Sequence, residues 1–528
     1  VSQGQYYNPL PSLYLFPRGD NFDEIRLYER YNTNYGYMEQ YWPYGDASLS
    51  LQNPYWIQNR INRTSNKKRY MMNASLKWQA ADWLNVVGRV NLDNSDYRNK
   101  NEKSASTLTT FCGVSGGFED AMRQERSLYA DFLANIDKTF GDFHLTANVG
   151  ASIYHTSMDQ LYIAGDLVIP NFFQINNINF SANYKPDPTG YEDEIQSIFA
   201  SAELSWKNQL YLTVTGRNDW DSKLAFSKQK SFFYPSVGLS ALLSEMVKLP
   251  EVISYAKIRG SYTVVASSFD RFLTNPGYEY NSQTHNWANP TVYPMDNMKP
   301  EKTKSWEIGL NLKFWGNRFN LDATYYRSNT LNQTFKVDIP SSSGYKQAIV
   351  QAGNVQNQGL ELALGFNDKW AGFGWSSNAT FTLNRNKVKR LASGSVNPVT
   401  GEAIQMDEMN VGWLGKENVA PRVILTEGGS MTDIYVYNQL TKDNNGNIKV
   451  DQNGNLGITS SNTPVKVGNL DADFNLGWTN HFTYKGIDLG VVLSARVGGL
   501  AYSATQGILD YYGVSGTSAT ARDNGGIP

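Results

Sequence analysis

The chain has 528 residues, with 47 Lys and Arg against 49 Asp and Glu, for a formal charge of −2. That balance removes any electrostatic argument for nucleic acid or an anionic membrane surface as partner. Cys112 is the one cysteine, so neither an internal disulfide nor a thiolate metal cluster can form, and no cofactor is expected.

The N-terminal "VSQGQYYNPLPS" lacks an initiating Met, a basic n-region and an apolar h-region. It reads as a start inside a longer protein rather than as a cytoplasmic signature. No run approaches the ~20 apolar residues of a spanning helix, so any passage through a membrane has to use strands.

Residues 31–56 gather Tyr35, Tyr37, Tyr41, Trp42, Tyr44, Tyr55 and Trp56 among polar residues without strict alternation. Flat rings beside hydrogen-bonding groups suit sugars or peptides, which makes Tyr41, Trp42, Tyr44, Tyr55 and Trp56 candidate substrate contacts. The plainer reading is a loop that packs its own rings or meets a partner protein.

From residue 67 a different pattern begins. Met72, Ala74, Leu76 and Trp78 alternate with polar residues, and after a tight bend Leu84, Val86, Val90 and Leu92 continue the alternation. Leu128–Ile136 and Phe143–Val149 form a second pair around Gly141-Asp142, and Ile198–Trp206 and Leu210–Val214 a third around Lys207-Asn208. A fourth pair is predicted at 233–243 and 255–264. Trp306, Ile308, Leu310, Leu312 and Phe314 lead through Trp315-Gly316-Asn317-Arg318 into Phe319, Leu321, Ala323 and Tyr325. Leu360–Phe366 pairs with Trp375–Leu383, and Phe474–Phe482 bends at Lys485-Gly486 into Ile487–Leu493. The total is about fourteen strands.

Three regularities make this an antiparallel transmembrane β-barrel. The runs last about ten residues or more, the length a tilted strand needs to cross a bilayer. Bends within pairs are short, whereas the links at 98–126, 157–197, 265–303, 331–355 and 388–471 are long, matching short periplasmic turns and long extracellular loops. Rings also crowd the short turns: Trp78 and Trp83, Phe140 and Phe143, Trp206 and Tyr211, then Phe314, Trp315, Phe319, Trp370, Phe373, Trp375, Phe482 and Tyr484. Rings at one level make a belt at a lipid–water boundary. On this reading Leu310 and Leu476 face outer-membrane lipid, and Glu307, Asn311 and Lys313 face a wet lumen. The alternative is an extracellular soluble β-rich glycan-binding or adhesin protein, which gives no reason for rings at every tight turn.

Catalytic motifs are weak. "GVSGG" (113–117) fits a nucleophile elbow that would place Ser115 between a β-like "TLTTFC" and a possible helix "FEDAMR". The four histidines, His144, His155, His285 and His481, are scattered, and the surroundings read as a Gly/Ser loop. The protein is therefore not expected to be an enzyme. "TKDNNGNIKVDQNGNLG" (441–457) lacks acidic ligands at alternate positions, so two tight turns of a small hairpin fit it better than a calcium loop.

Several stretches carry a family resemblance: "NPLPSLYLFPRG" (8–19), "QNPYW" (52–56), "GRNDWDSKL" (216–224), "KPEKTKSWEIGLNLKFW" (299–315), "NVQNQGLELAL" (354–364), "EGGSMTDIYVY" (427–437) and "VGNLDADFNLGWTNHFTYKGIDLGVVLSARVGG" (467–499). They resemble the SusC-like (SusC/RagA) TonB-dependent outer-membrane transporters of Bacteroidetes. The resemblance implies a plugged barrel in the cell outer membrane, a SusD-like lipoprotein partner, and uptake of an oligosaccharide or peptide driven by the TonB complex. Such barrels have about 22 strands. The expectation is an interior piece: an aromatic-rich loop region over 1–66, barrel strands over 67–500 and a loop over 501–528. The plug, accessory domain and TonB-contacting segment would lie outside it. Ala472 in "GNLDADF" stands where relatives often carry Pro.

Overall fold

The structure, a computed structural model, describes residues 8–525 apart from 48, 181–185, 276, 282–285, 296–297, 393–395, 398, 405, 407, 415–419 and 453–455. Fifteen strands share one sheet, and all but the short Val292–Tyr293 lie on one path in chain order, each antiparallel to the next. They are β1 (Ile61–Ala81), β2 (Leu84–Lys103), β3 (Gly117–Phe140), β4 (Phe143–Asp166), β5 (Asp187–Trp206), β6 (Leu210–Asp221) and β7 (Phe232–Leu242). The path continues through β8 (Ile253–Ser267), β9 (Glu301–Phe314), β10 (Phe319–Asp338), β11 (Gln347–Trp370), β12 (Phe373–Arg390), β13 (Phe474–Tyr484) and β14 (Ile487–Val497). The sheet is not closed: among the described residues β1 and β14 each have one neighbour.

The register turns the alternation of single strands into continuous surfaces. Starting at Phe143, successive cross-strand partners are Trp206, Leu210, Ala241, Ile258, Leu310, Ala323, Leu362, Phe381, Leu476 and Ala495. One apolar row therefore crosses eleven strands, β4 to β14, without a charge. Its neighbours along the strands stand uncovered by protein, with Leu489 55%, Ile308 54% and Leu239 52% exposed. A row of this length is far beyond the scattered exposed apolar residues of a water-soluble surface, and hydrocarbon is the medium that suits it.

The opposite face is wet and cross-linked. Arg89 binds Asp131 in bidentate fashion at 2.9 and 2.7 Å, and Arg69 binds Asp93 at 2.9 and 2.5 Å. Arg217 reaches Asp219 at 2.7 Å and the Ser197 hydroxyl at 2.8 Å. Arg259 on β8 spans β9 to reach Asp322 on β10 at 3.1 Å, and the Asn311 amide donates to that carboxylate at 2.9 Å. The crossing is possible because Gly309 lies beneath the guanidinium, where a Cβ would come within 2.6 Å of it. Glu307 and Lys313 share this polar face with Asn311, by the period of two.

The short turns sit at one rim. Ala371-Gly372 and Lys485-Gly486 are two-residue turns with both φ values positive (44° and 89°; 45° and 87°), the geometry that matches the strand twist and favours glycine second. The rings form a chain across three turns: Phe314–Trp315 (5.9 Å), Trp315–Phe319 (5.3 Å), Phe319–Phe366 (4.7 Å), Phe366–Trp370 (5.8 Å), Trp370–Phe373 (6.3 Å) and Phe373–Phe482 (6.2 Å). Lys138, Lys207 and Lys485 each lie 5.2 Å above the ring of Trp83, Trp206 and Tyr484. This is a belt of amphipathic rings with cations reaching toward water.

Several expected loops are structured. β3, β4 and β11 have 24 residues each, about twice what a bilayer crossing needs. The outer part of β11 packs Ala348, Val350, Ala352 and Val355 into an apolar cluster, whereas the outer halves of β2 and β3 are largely polar, so hydropathy does not alternate there while the ladder continues. Arg98–Asp120 (2.8 Å), Asn101–Glu119 (2.6 Å) and Gln124–Asp96 (2.9 Å) bind those halves across strands. "FEDAMR" is strand, not helix, with Met122 paired to Arg98 and Leu161, while "TLTTFC" is turn rather than strand. The span 388–471 holds a four-stranded sheet of Glu408–Trp413, Arg422–Thr426, Asp433–Leu440 and Ile458–Asn469. Residues 501–528 contain helices Ala504–Tyr511 and Gly516–Asp523 in place of the expected loop. Ser503 and Ser515 cap them by accepting from Gln506 and Ser518 amides. The packed apolar clusters all lie at the long-loop ends.

Placing a charge in the apolar row tests the facing. Leu310→Arg in the full-length protein is expected to lower folding stability in lipid vesicles by about 2–4 kcal/mol, and the inward Asn311→Arg by much less. Denaturant titration of both variants reads the difference; equal losses would contradict the assignment. On the wet face, Arg89→Met strands the buried Asp131 carboxylate and is expected to cost roughly 3 kcal/mol. Adding Asp131→Asn should return most of it in the same titration.

Candidate functional site at the external rim

Residues 8–60 lie at the long-loop rim, because β1 runs from Ile61 toward the short turn at 82–83. "QNPYW" (52–56) anchors them. Asn53 caps helix Pro54–Arg60, with its side-chain oxygen accepting from the Tyr55 amide at 2.9 Å and Pro54 at the first helical position. Its amide nitrogen donates to the carbonyls of Ile25 (2.8 Å) and Tyr41 (2.9 Å), and the residue is fully buried. The Gln52 oxygen accepts from the Leu108 amide at 3.0 Å. Gln40 receives the Asn53 amide at 2.9 Å and donates to the Ser106 carbonyl at 3.2 Å. The motif thus ties the N-terminal segment to the 104–116 loop.

The candidate rings divide into two kinds. Trp56 is 0% exposed, packs with Ile57, Ile61 and Tyr28, and donates its indole N–H to Thr107 Oγ1 at 3.0 Å. It is an anchor, and in this structure its face is closed to a ligand. Tyr41, Trp42, Tyr44 and Tyr55 are half-buried. Trp42 and Tyr44 meet edge-on at 5.0 Å, Tyr44 meets Phe16 at 5.0 Å, Phe16 meets Phe22 at 5.1 Å, and Phe22 meets Tyr55 at 6.2 Å. Arg30 lies 3.5 Å over the Tyr41 ring. Tyr35 and Tyr37 stack at 5.6 Å on the tip of the hairpin formed by Glu29–Asn32 and Tyr37–Gln40. Trp42, Tyr44, Phe16, Phe22 and Tyr55 thus form one connected run of rings on a clamped base, with Tyr41 and the Tyr35–Tyr37 pair beside it in the chain. The structural use of Gln52 and Asn53 escaped the residue-level reading, although Asn followed by Pro is a helix-start signal.

A second clamp joins two other motifs. In "EGGSMTDIYVY" the buried Asp433 carboxylate accepts from the Ser430 amide at 2.9 Å and from Lys466 at 2.6 Å. Thr432 donates to Asp471 of "GNLDADF" at 2.7 Å, and Gly428 and Gly429 exchange backbone bonds of 2.8 Å with Val388. The four-stranded external sheet is thereby fixed to the end of β12.

Among the described residues no hydrogen bond joins the Ser115 side chain to a histidine. Ser115 sits in a tight turn bridged by Gly113 and Gly116. The described histidines lie on strands with other neighbours: His144 bonds Thr139 at 2.9 Å, His155 is 3.7 Å from Glu194, and His481 is 3.7 Å from Asp488. His285 lies outside the described residues. In 441–457, Asp443 accepts from the Asn445 and Asn447 amides at 2.8 Å, and Lys442 bridges Ile448, so the first tight turn is as expected. These bonds, the Asn447 side chain first, hold the Asp443 carboxyl below its usual range. The second turn includes residues outside the described set.

A sheet with one lipid-facing and one wet face, ringed turns and clamped external loops is the wall of a membrane β-barrel. A family model described as TonB dependent receptor-like, beta-barrel matches residues 10–415, and the chain belongs to that outer-membrane family, one of receptors and transporters rather than enzymes. Among curated relatives, TonB-dependent receptor P3 of Formosa agariphila is 24% identical over 426 residues, covering 75% of this chain and 41% of the relative. TonB-dependent receptor SusC of Bacteroides thetaiotaomicron is 26% identical over 355 residues, covering 62% of this chain and 34% of the relative. The chain thus spans well under half the length of these relatives. The RagAB peptide transporter structure shares the fold with a TM-score of 0.68 at 16% identity, over 85% of this chain and 49% of that one.

Cys112 is buried in the external loop, and burial pushes its thiol up to about 12, against the pull of the Lys103 ammonium. A folded sample at pH 8 is therefore expected to resist iodoacetamide, while a denatured one reacts at once. Rapid labelling of the folded protein would show that the 104–116 loop opens.

Proposed function

We propose that the full-length protein imports a large nutrient across the outer membrane, either a glycan or a peptide. The TonB complex drives it and a SusD-like surface lipoprotein shares the cargo. The observation that carries this reading is the pairing of an unbroken apolar row with a hydrogen-bonded inner face, below an aromatic surface clamped at the outer rim. The soluble adhesin alternative leaves that row with nothing to cover it. Relatives support the class: SusC is named a TonB-dependent receptor, and RagAB is described as a peptide transporter.

Within this reading Tyr41, Trp42, Tyr44 and Tyr55 contact cargo, and Trp56 keeps their base in place. No covalent step is involved. Selection comes from ring faces and the groups beside them, such as Arg30 over Tyr41.

Uptake in the parent organism tests the proposal. Loss of TonB should abolish growth on the cargo. Replacing Trp42 or Tyr44 with Ala should weaken cargo binding about fivefold each, at ~1 kcal/mol per lost ring contact. Trp56→Ala should instead reduce the amount of folded protein. Recovery of the full-length protein in the aqueous fraction, or uptake indifferent to TonB, would overturn the reading.

A further inference from the structure

We propose that a cavity between the barrel rim and the external four-stranded sheet binds a short apolar peptide by its two charged ends. This rests on the importer reading and narrows its cargo from any large nutrient to peptides. The cavity has a volume of about 490 Å³, within the usual range for a small-ligand site. Met409, Leu425 and Met431, from the external sheet and the turn within it, form one side. Phe269 and Phe335 close it from two separate packed clusters, so the walls are held from both directions.

Its charges are arranged by the ladder. Ser267 at the end of β8 pairs with Glu301 at the start of β9, which brings Asp270, three residues on, to the same corner. Gln351 fixes that corner by exchanging bonds of 2.6 and 2.7 Å with the Lys299 backbone. Lys336 on β10 belongs both to this cavity and to an adjacent one of about 520 Å³. Among the described residues none of Asp270, Glu301 and Lys336 has an ion-pair partner, although most arginines of the inner face do. Two open carboxylates, apolar walls with adaptable thioethers and an open ammonium line one cavity, and these are the groups that an α-amine, aliphatic side chains and an α-carboxylate would seek. A sugar would want exposed ring faces, and the cavity's two rings, Phe269 and Phe335, are buried.

Calorimetry on the full-length protein in detergent, with tri-leucine, N-acetyl-tri-leucine, tri-leucine amide and maltotriose, tests this. Tri-leucine should bind, N-acetylation should weaken it at least tenfold, amidation at least fivefold, and maltotriose should give no heat. D270N/E301Q should erase the acetylation penalty and keep the amidation penalty; K336Q should do the reverse. Heat-modifiable migration in SDS checks that each variant is folded, and the wild-type peptide series decides the question without them. Equal binding of free and acetylated peptide, tighter binding of maltotriose, or no peptide binding would overturn the inference. TonB-dependent uptake combined with any of those results would leave the importer reading standing. Peptide discrimination as expected, without TonB-dependent uptake, would remove the importer reading alone.

Discussion

The structure depends on one requirement: inside hydrocarbon every backbone N–H and C=O must find its partner in the protein, because an unsatisfied group there costs several kcal/mol. A long antiparallel ladder meets that requirement strand by strand, and its period of two then dictates side-chain chemistry. Outward positions must be apolar, since lipid offers nothing else. Inward positions are free to be charged, provided the charges are paired. The row through Ile258, Leu310 and Ala323 and the adjacent Arg259–Asp322–Asn311 group are the two consequences, one residue apart on the same strands. Single residues inherit tasks from this division: Gly309 is small because Arg259 crosses it, and Gly372 and Gly486 complete turns with positive φ at the belt.

Above the membrane the constraint relaxes, and the construction changes with it. Water satisfies exposed backbone, so strands can be polar on both faces and loops can carry short helices and small sheets. Order there comes from buried amides and carboxylates such as Asn53 and Asp433, each at the centre of several bonds, and from small packed clusters. The cargo-facing features are mounted on these clamps, so the aromatic surface and the external sheet are positioned by polar networks rather than by a large core.

This contrast explains what could be read from the residues. The membrane half was legible because lipid leaves so little choice: the alternation at 306–314 and 474–482, the bends and the rings at the turns reappear in the ladder. The outer halves of β2 and β3 were not, since Asn99, Lys100, Asn101 and Glu102 have no apolar alternation to announce a strand. The sheet at 408–469 and the helices capped by Ser503 and Ser515 are built from short elements, and a run such as Val423-Ile424-Leu425 does not alternate. Of the aromatic residues, composition located the patch but could not separate Trp56, which is closed in by Ile57, Ile61 and Tyr28, from Trp42 and Tyr44, which remain half-open. The cavity with Asp270, Glu301 and Lys336 was invisible because those residues are far apart in the chain and meet only through strand pairing.

Spin labels placed singly at residues 305–314 of the full-length protein in vesicles, with Cys112 replaced by Ser, measure the division of faces most directly. Oxygen accessibility should peak at 306, 308, 310 and 312, and a water-soluble nickel complex should reach 305, 307, 311 and 313 instead, with Gly309 left unlabelled because Arg259 packs over it. Two curves out of phase with a period of two are the predicted result. Curves that rise and fall together, or nickel access at every position, would contradict a wall between lipid and water.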